Sequence, residues 1–391
     1  MISVEEALAR VLALADRLPE ETVPLARASG RSMTRPAAAA RDQPPFAAAA
    51  MDGYALADPA RPEDRFRVIG MAAAGHAFEG RIGAGQAVRI FTGAPVPAGA
   101  DRIIIQEDAE AQDGTILLKE GLDSGTHIRP QGQDFRAGDR LPPRRLRAAD
   151  LALLAAMNLP EVTVARRPVV ALIATGDELV MPGETPRADQ IIASNAFALK
   201  AMVEAEGAEA RLLPIARDTE AALATVLGLA EGADLVVTIG GASVGDHDLV
   251  GRVADRLGME RAFYRIAMRP GKPLMAGRLR GVPLLGLPGN PVSAIVCGHL
   301  FLLPMLRAMQ GLAADPVTRR AVLAEAVGPN GPRSHYMRAR LTAGPALPLV
   351  TPFAHQDSAL LRILTEADAL LIRPASDPAR AAGHEVDVLP L

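Results

Sequence analysis

The chain has 391 residues, 49% hydrophobic and 22% charged, with a formal net charge of −3. At about 100–200 residues per domain this length allows two to four domains, and the composition supports packed cores rather than disorder. The near-neutral charge argues against nucleic-acid or membrane electrostatics, and a chain with no Trp and three Tyr has little to stack on bases.

The single cysteine, Cys297, excludes an intrachain disulfide framework and fits a reducing, cytoplasmic setting. At the N-terminus, Ser3 and Glu6 form a capping-box pair. Val4, Leu8, Val11, Leu12, Ala15 and Leu18 share one face, which predicts a helix ending near Pro19. Glu5 and Glu6, with no basic leader, do not read as a signal peptide. Up to residue 165 the chain is turn-rich. Strand-like pieces lie at 65–70, 86–91, 101–106 and 115–120, which predicts a mostly β region. Its turns MDGYAL (51–56), RIFTGAPVPAGAD (89–101) and RPQGQDFRAGD (129–139) are each adequately explained as β-turns. A helix over 150–157 follows, with Asp150 as its expected cap.

From residue 168 the pattern becomes strand–helix alternation. PVVALIATGDEL ends a buried-type strand in a turn, and Ser194 or Asn195 caps a helix that stops at Gly207. AEARLLPIA is a strand, Asp218 is the expected cap of the next helix, and LVVTI at 235–239 is the next strand. Strands alternating with helices imply a parallel sheet, with ligands at the carboxyl ends of its strands. Pro291 opens an apolar helix to about Gln310. No run reaches about 18 uninterrupted apolar residues, because Pro304 breaks this one. Residues 318–391 read as a small β-barrel or sandwich, with alternation in EVDVL at 385–389.

The chemistry gathers in the turns. LVVTIGGASVGDHD at 235–248 places Gly240, Gly241, Ser243 and Gly245 between a strand and a helix, an anion cradle built from backbone N–H groups. Glu178, Asp218 and Asp248 could each be surface decoration or a helix cap. Together on one sheet edge they would repel unless a cation compensates, which points to Mg²⁺ held by Asp248 and a neighbouring carboxylate. Arg265, Arg269 and Lys272 stand within eight residues on a backbone stiffened by Pro270 and Pro273, and suit an oxyanion. LPGNPVS at 287–293 is a well-built helix start that also suits an anion. The sequence has no zinc spacing, GxSxG or P-loop motif.

Taken in order, AMDGYAL, RIFTGAPVPAGAD, RPQGQDFRAGD, ATGDEL, the Asn195 helix start, ARDT, GGASVGDHD, MRPGKP and LPGNPVSA resemble the molybdopterin molybdenumtransferase family, MoeA-type and gephyrin E-domain-like. The resemblance runs over essentially the whole chain. It implies an elongated multidomain α/β plus β homodimer: residues 1–35 with 140–166 as one domain, 36–139 mostly β, 167–311 a central parallel α/β domain, and 312–391 a small β-barrel. The implied activity is insertion of molybdenum from molybdate into adenylated molybdopterin, with Mg²⁺ and release of AMP. Transient contacts with other enzymes of molybdenum cofactor biosynthesis are implied as well. By the same resemblance Asp52, Thr92, Arg129 and Asp134 of one subunit face Glu178, Asp218 and Asp248 of the other, with Glu178 and Asp248 on the metal. Arg265, Arg269, Lys272, Pro288, Pro291, Arg338 and Ser358 join the binding set. The chain departs from the family pattern with Arg265 and Arg269 where lysines are frequent, Ala242 for a valine, and Tyr264 for an indole. Two other readings remain: a molybdopterin adenylyltransferase, which residues 168–310 also resemble, and a non-catalytic pterin-binding scaffold.

Overall fold

A computed structural model describes residues 1–57, 59–241 and 249–391. By compactness the chain forms two units, one of residues 1–21, 30–34 and 163–391, the other of residues 22–29 and 35–162.

The second unit centres on a six-stranded sheet in the order Arg102–Ile105, Gly53–Leu56, Gln86–Ile90, Arg65–Ala72, Thr115–Leu118, Ala109–Gln112. Alternation buries both faces: Ala55, Val88, Ile90 and Ile103 enter one core, Leu56, Ala87, Ile104 and Ile116 the other. All four strand-like pieces read from the sequence are strands in this sheet. The following helix runs Ala148–Ala156 and begins earlier than expected. Asp150 is therefore not its cap. It stands at the third helical position and its carboxylate accepts from the Arg147 amide at 2.8 Å.

In the first unit the opening helix is Val4–Leu12, with Ser3 accepting from the Glu6 amide as expected. It stops well before Pro19. Arg278 donates to the Leu14 carbonyl at 3.0 Å and ion-pairs with Asp16, while the Leu18 amide bonds to the Met309 carbonyl. These tertiary bonds take the backbone groups that a longer helix would need, yet Leu14, Ala15 and Leu18 still pack on the core.

The main sheet of this unit has the order Glu209–Leu212, Val169–Ala174, Leu235–Ile239, Val282–Leu287, Met275–Leu279, Met259–Phe263. The first four strands are parallel, as the alternation implied. The last two form an antiparallel edge that the sequence reading did not foresee. Their neighbour is reached through a tight turn at Arg280 (φ 51°) and Gly281 (φ 83°), a two-residue hairpin whose usual Asn-Gly signature is replaced by Arg-Gly. Leu235–Ile239 is buried along its whole length. The helix of the LPGNP segment runs Pro291–Cys297, widens to a π stretch at Gly298–Leu302 and resumes at Leu303–Met309. Pro304 lacks an amide hydrogen, and the wider turn lies where that break falls. This run has the length and hydropathy to cross a membrane, but 78% of it is buried in the protein, as a core helix is.

The C-terminal residues form a closed barrel. Ser334–Thr342 pairs with both Leu349–Pro352 and Ala369–Arg373, and Glu385–Pro390 joins Ala369–Arg373 to Arg319–Leu323. Val386 and Val388 point inward as the alternation predicted, while Glu385 and Asp387 pair with Arg320 outside.

Candidate active site

Three parallel strands end side by side at Ala174, Ile239 and Leu287, and the turns beyond them enclose a cleft of about 630 Å³. Thr175, Glu178, Asn195, Gly240, Gly241 and Pro288 are among its lining residues, with Pro291 at the helix start. The Thr175 amide bonds to the Ile239 carbonyl and the Gly240 amide to the Leu287 carbonyl, which locks the turns to one another.

The two glycines are sterically required. Gly240 and Gly241 have φ of +91° and +64°, and a Cβ at Gly241 would stand 2.4 Å from Val250 Cγ2 and 2.7 Å from the Thr175 hydroxyl. No side chain fits between these residues and their Thr175 and Val250 neighbours, and the main chain of both glycines lines the cleft. Ser243, Gly245 and Asp248, the rest of the expected cradle, lie outside the described residues.

Glu178 is exposed at the cleft and takes no ion-pair partner among the described residues. Its turn is clamped by Arg217, whose Nη1 donates to the carbonyls of Asp177 at 3.1 Å and Leu179 at 3.0 Å. Asp218 does not cap the helix that follows it. Thr219 does, accepting from the Ala222 amide at 3.2 Å. Asp218 instead pairs with the TGDEL turn: its amide donates to Asp177 Oδ1 at 3.0 Å and its Oδ2 accepts from the Asp177 amide at 3.4 Å. It is not part of the cleft lining. Among the described residues no three carboxylate, imidazole or thiol groups gather as a ready metal site.

The basic segment reaches this region through Pro273, which lines the cleft, whereas Arg265, Arg269 and Lys272 do not. None of the three forms an ion pair among the described residues. Arg265 lies 5.2 Å from the Tyr264 ring centroid with its buried Nε unbonded, and Arg269 is exposed on a short strand paired with Ser334–His335. Asn195 Nδ2 donates to the Gly289 carbonyl at 2.6 Å, and Asn290 Nδ2 to Ser358 Oγ at 3.0 Å. Ser358 is thereby tied to the LPGNP turn, and its neighbour Ala359 enters the lining. Arg338 is 1% exposed, and its guanidinium is spent on the carbonyls of His355 and Leu360 and the Gln356 side chain. It braces the loop that carries Ser358.

The second unit has its own cleft of about 580 Å³, lined by Pro44, Phe46, Gly93, Arg129, Gln133 and Asp134 among others. Nearby in sequence, Asp52 Oδ1 accepts from both the amide and the hydroxyl of Thr92 at 2.7 Å. The Thr92 hydroxyl first, then its amide, hold the Asp52 carboxyl below its usual range; burial opposes them, and the charge of Arg89 adds the smallest lowering effect.

Four contributors went unread in the sequence: Thr175, Arg217, Asn290 and Arg89. Each lies inside a motif quoted for a different residue. Only spatial partners reveal them.

The comparisons with known proteins follow this layout. Residues 2–158 match the MoeA N-terminal region (domain I and II), 171–308 a probable molybdopterin binding domain, and 320–391 the MoeA C-terminal region (domain IV). The chain is 34% identical to the molybdopterin molybdenumtransferase of Nostoc sp., over 95% of this chain and 88% of that one. It is 36% identical to molybdopterin molybdenumtransferase 2 of Mycobacterium tuberculosis, over 94% of each. The crystal structure of the MoeA molybdopterin biosynthesis protein of Pyrococcus horikoshii matches with a TM-score of 0.79 at 30% identity, covering 100% of this chain and 99% of that one. Three domain matches in register and full-length relatives of this identity place the chain in the MoeA family of molybdopterin molybdenumtransferases.

Proposed function

We propose that the protein transfers molybdenum from molybdate to adenylated molybdopterin, with release of AMP. The observation that carries this reading is the cleft at the strand ends, where the main chain of Gly240 and Gly241 lines the wall beside Glu178, a carboxylate with no ion-pair partner among the described residues. A glycine main chain at the strand ends lets a phosphate approach closely, and a carboxylate next to it suits a divalent cation that the phosphate also holds. Glu178 and Asp248 would hold Mg²⁺, which when bound offsets charge on the diphosphate. Arg265, Arg269 and Lys272 carry cations that no described carboxylate neutralises, and they bind the oxygens of molybdate or phosphate. Asp218, fixed through Asp177, orders water or takes a proton near Glu178.

The family reading extends to a homodimer in which Asp52, Thr92, Arg129 and Asp134 of one copy act with the α/β cleft of the other. It extends also to a cytoplasmic setting and to transient hand-over contacts with neighbouring enzymes of the pathway.

The test is to incubate the protein with adenylated molybdopterin, molybdate and Mg²⁺ and to follow AMP by chromatography. Molybdate-dependent AMP release is expected. Pyrophosphate release from ATP and molybdopterin in its place would assign an adenylyltransferase, and neither product would leave a binding scaffold. In the active protein Asp248→Asn lowers turnover far more than ligand affinity.

A further inference from the structure

The Asp52–Thr92 pair has a third member in Arg89. On the pairing of Gly53–Leu56 with Gln86–Ile90, Arg89 stands directly opposite Tyr54. Its guanidinium lies 4.9 Å from the Tyr54 ring centroid and 4.7 Å from that of Phe91, within cation–π range of both. Nη1 donates to the Gly53 carbonyl at 3.0 Å and Nη2 to Gln106 Oε1 at 2.7 Å. The Gln106 amide donates in turn to the Asp52 carbonyl at 3.0 Å.

Three consecutive residues are therefore fixed by Arg89 or by a group it holds: Asp52 through Gln106, Gly53 through its carbonyl, Tyr54 through its ring. The turn has no slack on its other side, because a Cβ at Gly53 would stand 1.9 Å from the Ile104 carbonyl oxygen. Phe91 precedes Thr92, so the same guanidinium also steadies the residue that grips Asp52. The Asp52 carboxylate keeps one oxygen in the Thr92 bonds, and the other takes no bond from a described residue.

We propose that Arg89 is a positioning residue for Asp52, aiming its free carboxylate oxygen and holding a positive charge behind it. The inference rests on Asp52 belonging to the site. A cation spent on ring faces and a carbonyl is not an ion-pair partner of Asp52, so it steadies the carboxylate without consuming the oxygen that would meet substrate or water. Lysine could not replace it, because the role needs a flat group between two rings and two donors at set angles. The charge of Arg89 is also among the causes that lower the Asp52 pKa, the smallest of them, after both Thr92 bonds.

The experiment compares Arg89→Gln and Arg89→Lys with the parent protein by two readouts. The first is a ¹³C NMR titration of aspartate-labelled protein, with the Asp52 carboxyl assigned by its loss in Asp52→Asn. Arg89→Gln is expected to move the Asp52 titration to higher pH, with Arg89→Lys between it and the parent. The second is AMP release with molybdate. Arg89→Gln is expected to lower kcat by roughly ten- to a hundredfold with KM little changed, the size typical for a partner behind a working ligand, and to add nothing in an Asp52→Asn background. An unmoved Asp52 titration, or losses that multiply in the double variant, would overturn the inference. If Arg89→Gln does not fold, Arg89→Lys carries both readouts. The titration decides the role of Arg89 even if the parent releases no AMP, an outcome that would instead sink the functional reading.

Discussion

At the scale of single residues, the cleft depends on what is missing from Gly241. Alanine there would keep an unfavourable φ of +64° and push a methyl group against Val250, a stiff β-branched neighbour. The strain costs about 1–2 kcal/mol and the overpacking about as much again. Gly241→Ala is therefore expected to lower stability by about 2–4 kcal/mol and to weaken AMP binding at least tenfold, read by denaturant titration and calorimetry. Gly232→Ala is the control. It too has a positive φ of +77°, but the nearest atom to its new methyl is Arg211 Nη1 at 3.9 Å. It should cost about 1 kcal/mol and leave AMP binding unchanged. Equal AMP affinity in the two variants would remove the glycine cradle from the site. The Gly240-Gly241 pair was legible in the sequence because few residues other than glycine end a buried strand in this conformation. Thr175, which backs Gly241 with its hydroxyl, was not, since its role is a contact from a neighbouring strand end.

At the scale of elements, the segment Arg217-Asp218-Thr219 shows how a correct element can carry a wrong assignment. Either Asp218 or Thr219 is a good N-cap by residue type, and the helix starts within one residue of both choices. The TGDEL turn decides between them, because Asp177 takes Asp218 and leaves the cap to Thr219. Thr219→Ala is expected to cost about 1 kcal/mol, with Thr219→Ser recovering most of it and turnover unaffected in both. Asp218→Asn is expected to keep stability within about 0.5 kcal/mol, as surface changes do, while turnover falls. Urea denaturation beside the AMP assay separates these patterns, and the reverse pattern would return the cap to Asp218. The helix at residues 4–12 makes the same point at its other end. Its apolar periodicity continues to Leu18, but Arg278 and Met309 claim the backbone from Leu14 onward. Local pattern located the element, and distant partners set its length.

At the scale of the molecule, nine motifs in order identified the family because their joint succession is specific where each turn alone is ordinary. The division into two units was less legible. Residues 30–34 leave one compact unit for the other, tied there by buried contacts such as the Ser32 hydroxyl with Gln310 and Arg31 with the Ala165 carbonyl, links across more than a hundred residues that no local signal announces. The joint between the α/β region and the barrel is of this kind, and it has a measurable signature. Met268–Arg269 pairs in parallel with Ser334–His335, which buries His335 with its Nε2 unbonded. Burial, reinforced by the charges of Arg269, Arg338, Arg373 and Arg333, lowers the His335 pKa to about 4. Its ordinary value is about 6.5. The unfolded chain therefore binds the proton more readily than the folded one between these two values. Stability contributed by the neutral imidazole is complete above about pH 6.5 and is lost as the pH falls toward 4. From pH 7.5 to pH 5 this one group is expected to cost about 2 kcal/mol. His335→Gln has no proton to gain, so denaturant titrations at the two pH values should show a loss smaller by that amount in the variant. Parallel losses in parent and variant would mean that His335 is hydrated in solution and that the barrel does not seal against the Met268–Arg269 strand.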